Sequence, residues 1–440
     1  MSNADKSSDL FELYFDLLAD TENPIAFHRW TLISCISSLL GRNIYLPFGV
    51  DQLYPNMFIC LIGPSASRKS HSISVGRKIL TAAQFKKFAC SKTSKEKFIE
   101  DLAIGFDMLE DSEAQMAELL NLPEDERAPC EVLISAGELE DFMGRNNGEF
   151  ISMLTNLYDP QPSYSIRKIR SQSTYVHQPC INLIGGATNT TFNNTFPPEI
   201  AGQGFLSRLI LVHGGGPRQK IAWPKQPDKE ILDYISASLL RIRKTMVGQF
   251  DLSKEAYEAV ADIYNKIEPI DDIRFESYNG RRHVHLLKLC MVYAAADLSK
   301  TIEYKHVLLA NTTLIWTEKF MPAALGEFGK SKSGETLTKI VELCKRRVAD
   351  DPNNPIPLKE LWCSVSQDFN DRSEFIAAVR KLTESNKLIV VNKEYVMPVE
   401  TVVRSAAPHL DLTLLREYLE DEFNEQQRTA NSECPIPESI

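Results

Sequence analysis

The chain has 440 residues, 43% hydrophobic and 25% charged, an ordinary globular profile with room for about three domains. Its 49 basic and 59 acidic residues leave a net charge of −10, which excludes a wholly basic nucleic-acid coat but not a basic channel inside an acidic assembly. No apolar run reaches membrane-spanning length, the polar start Met1-Ser-Asn-Ala-Asp-Lys6 lacks a secretory core, and the nine cysteines form no C-x-x-C pair, so a reduced, cytoplasmic protein without membrane contact or zinc fingers is expected.

Residues 8–41 read as two helices, with stripes Leu10, Leu13, Leu17, Leu18 and then Trp30, Ile33, Ile36, Leu39, Leu40, ending at Gly41. A short strand, Asn43–Pro47, follows. The apolar run Met57–Ile62 then leads into Gly63-Pro-Ser-Ala-Ser-Arg-Lys69-Ser70 and a helix over Ser70–Leu80. Strand, tight loop and helix is the arrangement that cradles nucleotide phosphates: loop N–H groups and the helix N-terminus meet the anion. Gly63, Pro64, Ser65, Ala66, Ser67, Arg68, Lys69 and Ser70 are the candidate ATP-binding residues. Lys69 is positioned for the β- and γ-phosphates and Ser70 for Mg²⁺. Arg68 stands where the second glycine of G-x-x-x-x-G-K-[ST] belongs. The plain alternative is a strand-to-helix turn that happens to carry Lys-Ser.

Residues 92–128 read as helical and acidic, ending in the loop Pro123–Arg127. Three more apolar runs follow: Glu131–Ser135, leading to Glu138; Cys180–Gly185, leading to Thr188 and Asn189; and Leu206–His213, leading to Gly214–Gly216. Short buried strands between helices predict an α/β fold, a parallel sheet with chemistry at its strand ends.

ATP hydrolysis needs a carboxylate to orient water, polar groups at the γ-phosphate and a cation for the developing charge. Glu138 is the carboxylate candidate and a second Mg²⁺ contact. Gly137 replaces the usual preceding Asp, leaving Glu140, Asp141 or, through water, Ser135 as substitutes. Glu138 also fits an N-terminal helix charge, and Thr188 and Asn189 fit either a γ-phosphate sensor or turn chemistry. Arg208 fits a finger reaching a neighbour's nucleotide, or a local salt bridge. Arg281, Arg282 and Lys288 fit a lid approach to the phosphates, or solvated charge.

Between Asp159 and Pro179 aromatics flank a basic cluster. A projecting hairpin is expected, with Arg167, Lys168 and Arg170 on phosphates and Tyr164 or Tyr175 stacked on bases; an exposed basic loop is the alternative. Residues 227–325 read as helical, and Phe328–Gly334 as a linker. Helices Leu358–Asp368 and Ser373–Asn386, then Leu388–Val391, a turn at Asn392-Lys393 and Tyr395–Met397, follow the winged-helix order. Arg372, Arg380 and Lys381 there are nearly balanced by Glu360, Asp368, Asp371 and Glu374, so DNA and protein are equal candidates for its partner. One amphipathic helix is expected near 410–425, then a disordered tail.

The ordered set Gly63–Ser70, Glu138, the basic segment, Ala187–Asn189 and Gly204–Arg208 resembles AAA+-like P-loop ATPases of phages, prophages and mobile elements, of the primase-helicase and replicative-helicase type. Phe27-His-Arg-Trp30, Gly41-Arg42, Tyr54-Pro-Asn56, Leu157-Tyr-Asp159, Tyr278–Arg282 and Leu287–Leu289 strengthen the resemblance, which covers about 25–325. The hairpin before the third strand also resembles superfamily 3 helicases. The resemblance implies a ring oligomer, a hexamer, with ATP at subunit interfaces and single-stranded DNA in the pore. Lys69, Glu138, Asn189 and Arg208 would be catalytic.

The expected layout is a helical segment at 1–50, a P-loop core at 51–226, a helical lid at 227–327, a winged helix at 336–400, and a helix with tail at 401–440. The function expected is an ATP-driven DNA helicase in replication, with a partner at the winged helix or tail. Arg68 and Gly137 keep open a nucleotide-gated scaffold: a helicase loader, replication initiator or defence-system ATPase. A small-molecule kinase is a weaker third reading.

Overall fold

The computed structural model describes residues 9–108, 127–166, 174–197, 204–326, 355–369, 371–384, 388–391, 395–398 and 407–420, with Ile340, Val341, Leu343, Cys344 and Arg347. The chain divides into two compact units, one running to Gly326 and resuming at Pro408, the other between them.

In the first unit α1 (Leu10–Leu17) and α2 (Ile25–Leu40) form where the leucine and isoleucine spacing predicts. Every residue of α2 except Ala26 is buried, as in a helix enclosed by its own protein. It ends at Gly41, whose φ of +49° suits glycine and where a Cβ would lie 2.1 Å from Glu131 Oε1. Strands β1 (Ile44–Phe48) and β2 (Asp51–Leu53) pair antiparallel beside it.

The core is a four-stranded, all-parallel sheet of β3 (Phe58–Ile62), β4 (Glu131–Ala136), β7 (Cys180–Ala187) and β8 (Leu209–His213), in the order β4-β7-β3-β8. Phe88 adds a parallel bridge to Leu133 at the β4 edge. These strands are nearly continuous apolar runs because helices cover them. Since β3, β4 and β7 run the same way, Gly63, Gly137 and Thr188 emerge at one sheet edge. α3 (Lys69–Ala82) follows β3. In the 92–128 stretch α4 is confined to Lys95–Ile104, and 109–126, with most of the expected Pro123–Arg127 loop, lie outside the described residues. α5 (Leu139–Met143) and α6 (Gly148–Tyr158) follow β4.

The expected hairpin is present as β5 (Ser163–Ile166) and β6 (Thr174–His177), antiparallel, with Tyr164 opposite Val176 and Tyr175 opposite Ser165. That register puts Tyr164 and Tyr175 on opposite faces of the ribbon, so the two rings cannot form one stacking platform. Arg167, Lys168 and Arg170 lie outside the described residues. α7 (Asn189–Thr195) follows β7; α8 (Lys229–Thr245), α9 (Lys254–Lys266), α10 (Glu276–Ala296) and α11 (Tyr304–Leu325) complete the helical region. No described helix is long and apolar enough to cross a membrane.

The second unit contains α12 (Leu358–Val365), α13 (Arg372–Glu384) and a three-stranded sheet in the order Ile356–Pro357, Tyr395–Pro398, Leu388–Val391. Ile340, Leu361, Phe375, Val379, Leu388 and Val396 share its core. Arg372, Glu374, Arg380 and Lys381 are exposed on or beside α13. The expected linker Phe328–Gly334, the turn at Asn392-Lys393 and the tail beyond 420 lie outside the described residues.

The segment expected to carry a helix near 410–425 belongs to the first unit as far as it is described. Arg29 of α2 donates from Nε and Nη2 to the Glu417 carboxylate, both side chains being almost fully buried. Arg218 bonds Glu420, and Arg416 bonds Asp16.

Candidate active site

The loop after β3 turns tightly enough to need two left-handed residues, Ala66 (φ +67°) and Arg68 (φ +63°). For a non-glycine residue that conformation costs about 1–2 kcal/mol. Arg68 tolerates it because the segment before α2 braces it. Asn23 donates from Nδ2 to the Arg68 carbonyl at 2.7 Å and to Ser72 Oγ at 2.7 Å, and Glu22 pairs with the Arg68 guanidinium at 2.6 Å. Arg68 therefore occupies the backbone state that the motif's glycine supplies freely, and holds it by tertiary contacts.

Lys69 and Ser70 open α3, so their N–H groups have no intrahelical acceptor. The Lys69 ammonium is buried and curls back to donate to Gly63 O (2.9 Å), Pro64 O (2.9 Å) and Ser67 Oγ (3.1 Å). Its pKa is lowered, chiefly by burial, against the opposing pull of Glu138 and Cys60. A cation held only by neutral carbonyls and a hydroxyl is poised to exchange them for anionic oxygens. Gly63 is required where it stands: a Cβ would lie 2.6 Å from Gly214 O, and Gly214 is in turn covered by the Phe27 ring.

An open cleft of about 690 Å³ lies in front of the loop, within the usual range for ligand sites. It is lined by Pro64 and Ser65, by Glu138, Glu140 and Asp141, and by Thr188–Thr191. Glu138, exposed to the cleft, has its carboxyl raised by desolvation, with Asp141 and Glu140 adding to the rise and Lys69 opposing it. Ser70 Oγ donates to Gly137 O at 3.1 Å. Gly186 allows this closeness, since a Cβ there would be 2.5 Å from Gly137 O.

Thr188 caps α7 in a reciprocal box with Thr191. Asn189, expected as a γ-phosphate sensor, lines the cleft but donates both amide hydrogens to the end of α11, at Ala323 O (3.2 Å) and Ala324 O (2.8 Å). Its side chain thus ties the sheet edge to the last turn of α11.

Arg208 sits at the other end of the sheet. It precedes β8, whose Leu209 is level with Phe58 at the start of β3, roughly 17 Å of strand from Gly63. It pairs with Asp159 and donates from Nη1 to Gly204 O at 2.6 Å. Arg282 and Lys288 require a correction: both are buried away from the cleft lining, so neither carries solvated charge. Arg282 is buried against Glu318 and Asn311. Lys288 is buried below the Tyr158 ring (4.1 Å), donating to Asn56 O and Oδ1, and burial brings its pKa down to about 7. Arg281 pairs with Asp159.

The flanking phrases Phe27–Trp30 and Tyr54–Asn56 prove to be scaffold. Asn56 joins Tyr158 O, Ile181 O and Lys288, and Trp30 Nε1 donates to Thr317 Oγ1 at 3.0 Å. Sequence reading missed Glu22 and Asn23, the brace on Arg68; an Asn before a helix-starting Pro carries no phosphate-loop signal of its own. No protein-family model matches the chain, and no curated protein matches it.

Proposed function

We propose that the chain is an AAA+-like P-loop ATPase that works on DNA as a ring of identical subunits, a helicase of the phage or mobile-element kind. One observation carries the reading: the tight loop that ends in Lys69 and Ser70 at the start of a helix shares a sheet edge with Glu138 and Thr188–Thr191, and its Pro64 and Ser65 line one cleft with them. That edge is where an open parallel sheet presents ligand sites.

In this reading the loop amides and α3 N-terminus hold the β- and γ-phosphates, and Lys69 leaves its carbonyls for phosphate oxygens. Ser70 Oγ, exposed and bonded to Gly137 O, would be the chain's own ligand for the Mg²⁺ that accompanies a nucleotide, with Glu138 as a second contact. The bound ion would neutralise charge on the phosphate oxygens. Glu138, its carboxyl raised by desolvation, orients the attacking water. Arg208, a strand length from its own cleft, acts only on the nucleotide of an adjoining copy. The β5–β6 hairpin contacts the DNA strand, and the helix–helix–hairpin unit is a winged-helix module binding DNA or a replication partner.

The test is ATP turnover by the purified full chain with and without single-stranded DNA. Turnover stimulated by about tenfold or more on adding DNA supports a motor; no hydrolysis under any nucleic-acid condition refutes it. A nucleotide-gated scaffold is favoured by Gly137, which leaves Ser70 bonded to a backbone carbonyl where a metal-holding carboxylate is expected. Unwinding of a forked duplex by the protein alone eliminates that reading.

A further inference from the structure

At the sheet edge opposite the cleft, two guanidiniums from different parts of the chain meet one carboxylate. Arg208, just before β8, and Arg281, on α10, both bond Asp159; Arg281 does so from Nη1 (2.8 Å) and Nη2 (3.0 Å). Both lie near the face of the buried Tyr158 ring, at 5.8 and 6.0 Å. The arrangement is layered. Asp159 is the outermost group at 43% exposure, Arg281 is 28% exposed, and Arg208 beneath is 12% exposed. Arg208 also retains a buried Nε–H with no acceptor among the described residues. Two cations therefore share one anion, and one donor is unmet.

Resting on the reading of the cleft above, we infer that Asp159 is an internal stand-in for an anion brought by a second copy of this chain, and that Arg208 and Arg281 together receive that anion, the terminal phosphate of the neighbour's nucleoside triphosphate. In the isolated chain the carboxylate holds both guanidiniums in place and blocks them. On assembly the phosphate, with more charge and more acceptor oxygens than a carboxylate, displaces it. Bound nucleotide and subunit contact then become mutually dependent. Burial acts to raise the Asp159 carboxyl, and the hydrogen bonds from Arg281 and Arg208 outweigh it, so the stand-in stays ionised and competes with the incoming anion across the neutral pH range.

The test uses full-length chains and two readouts. First, Asp159→Asn is expected to lower the protein concentration giving half-maximal ATP hydrolysis by about fivefold, the equivalent of losing one partly exposed ion pair; an unchanged concentration overturns the inference. Second, chains carrying Arg281→Ala hydrolyse slowly, and chains carrying Lys69→Ala do not hydrolyse. Mixed in equal amounts they are expected to recover activity, because the second chain offers intact arginines to the first chain's intact cleft. No recovery overturns a role for Arg281 across subunits, even if Asp159→Asn fails to fold. Titration of dilute wild-type protein with a fluorescent ATP analogue separates the two levels. Binding without recovery or concentration shift defeats only the stand-in, whereas no binding defeats the reading of the cleft and the stand-in with it.

Discussion

Replacing Lys69 by alanine is expected to weaken ATP binding about a hundredfold while leaving the fold intact. Each charge-assisted hydrogen bond is worth about 1.5–3 kcal/mol, and one ammonium serving the phosphates accounts for about 3 kcal/mol of binding. The stability side has the opposite character. In the free protein Lys69 is a buried cation facing two carbonyls and a hydroxyl, and its lowered pKa means that burial works against the charged form. Removing it relieves that cost and leaves carbonyls at a solvent-facing loop, so the unfolding midpoint should move little. Isothermal titration beside a denaturant melt separates the two effects. A variant that binds ATP as the wild type does would show that the loop is only a turn.

The opposite pattern is expected at Glu417. Alanine there leaves Arg29 buried without its carboxylate, which costs about 3–5 kcal/mol, a large share of the stability of an ordinary domain. Arg29 retains the Phe11 and Phe15 rings nearby, at 5.7 and 4.9 Å, but no second carboxylate is paired with it among the described residues. The more exposed pair Arg218–Glu420 serves as the internal control: Glu420→Ala should cost about 1 kcal/mol or less. Urea unfolding of both variants decides the matter, and a Glu417→Ala loss below about 1 kcal/mol would show that the returning segment does not hold α2. Since α2 carries Phe27 beneath Gly214 and Gly63, the loop after β3 is expected to loosen with it.

What the sequence made legible follows the range of the interactions. Strands β3, β4 and β7 could be read locally because each is a short apolar run ended by glycine or threonine, and α2 because its apolar residues recur at helical spacing. The tight turn from Gly63 to Ser70 between β3 and α3 was legible because its backbone path is set within eight residues. The pairs that hold the site are not local. Glu417 lies far along the chain from Arg29, and Arg281 is distant from Asp159; periodicity carries no term for either. Arg282 and Lys288 misled for a related reason. A charge on a helix is normally solvated, but α10 is buried on most sides and satisfies its charges with Glu318, Asn311 and Asn56. Asn189 was placed correctly at the strand end, yet its amide closes the carbonyl end of α11, a contact visible only once that helix is packed against it.

The most direct measurement is a structure of the full chain with a non-hydrolysable ATP analogue and Mg²⁺ at saturating concentration. The account predicts triphosphate density against the loop from Ser65 to Ser70, with Lys69 Nζ moved off the carbonyls of Gly63 and Pro64 onto phosphate oxygens. A map with no density in the cleft, and Lys69 still bonded to those two carbonyls, would contradict it.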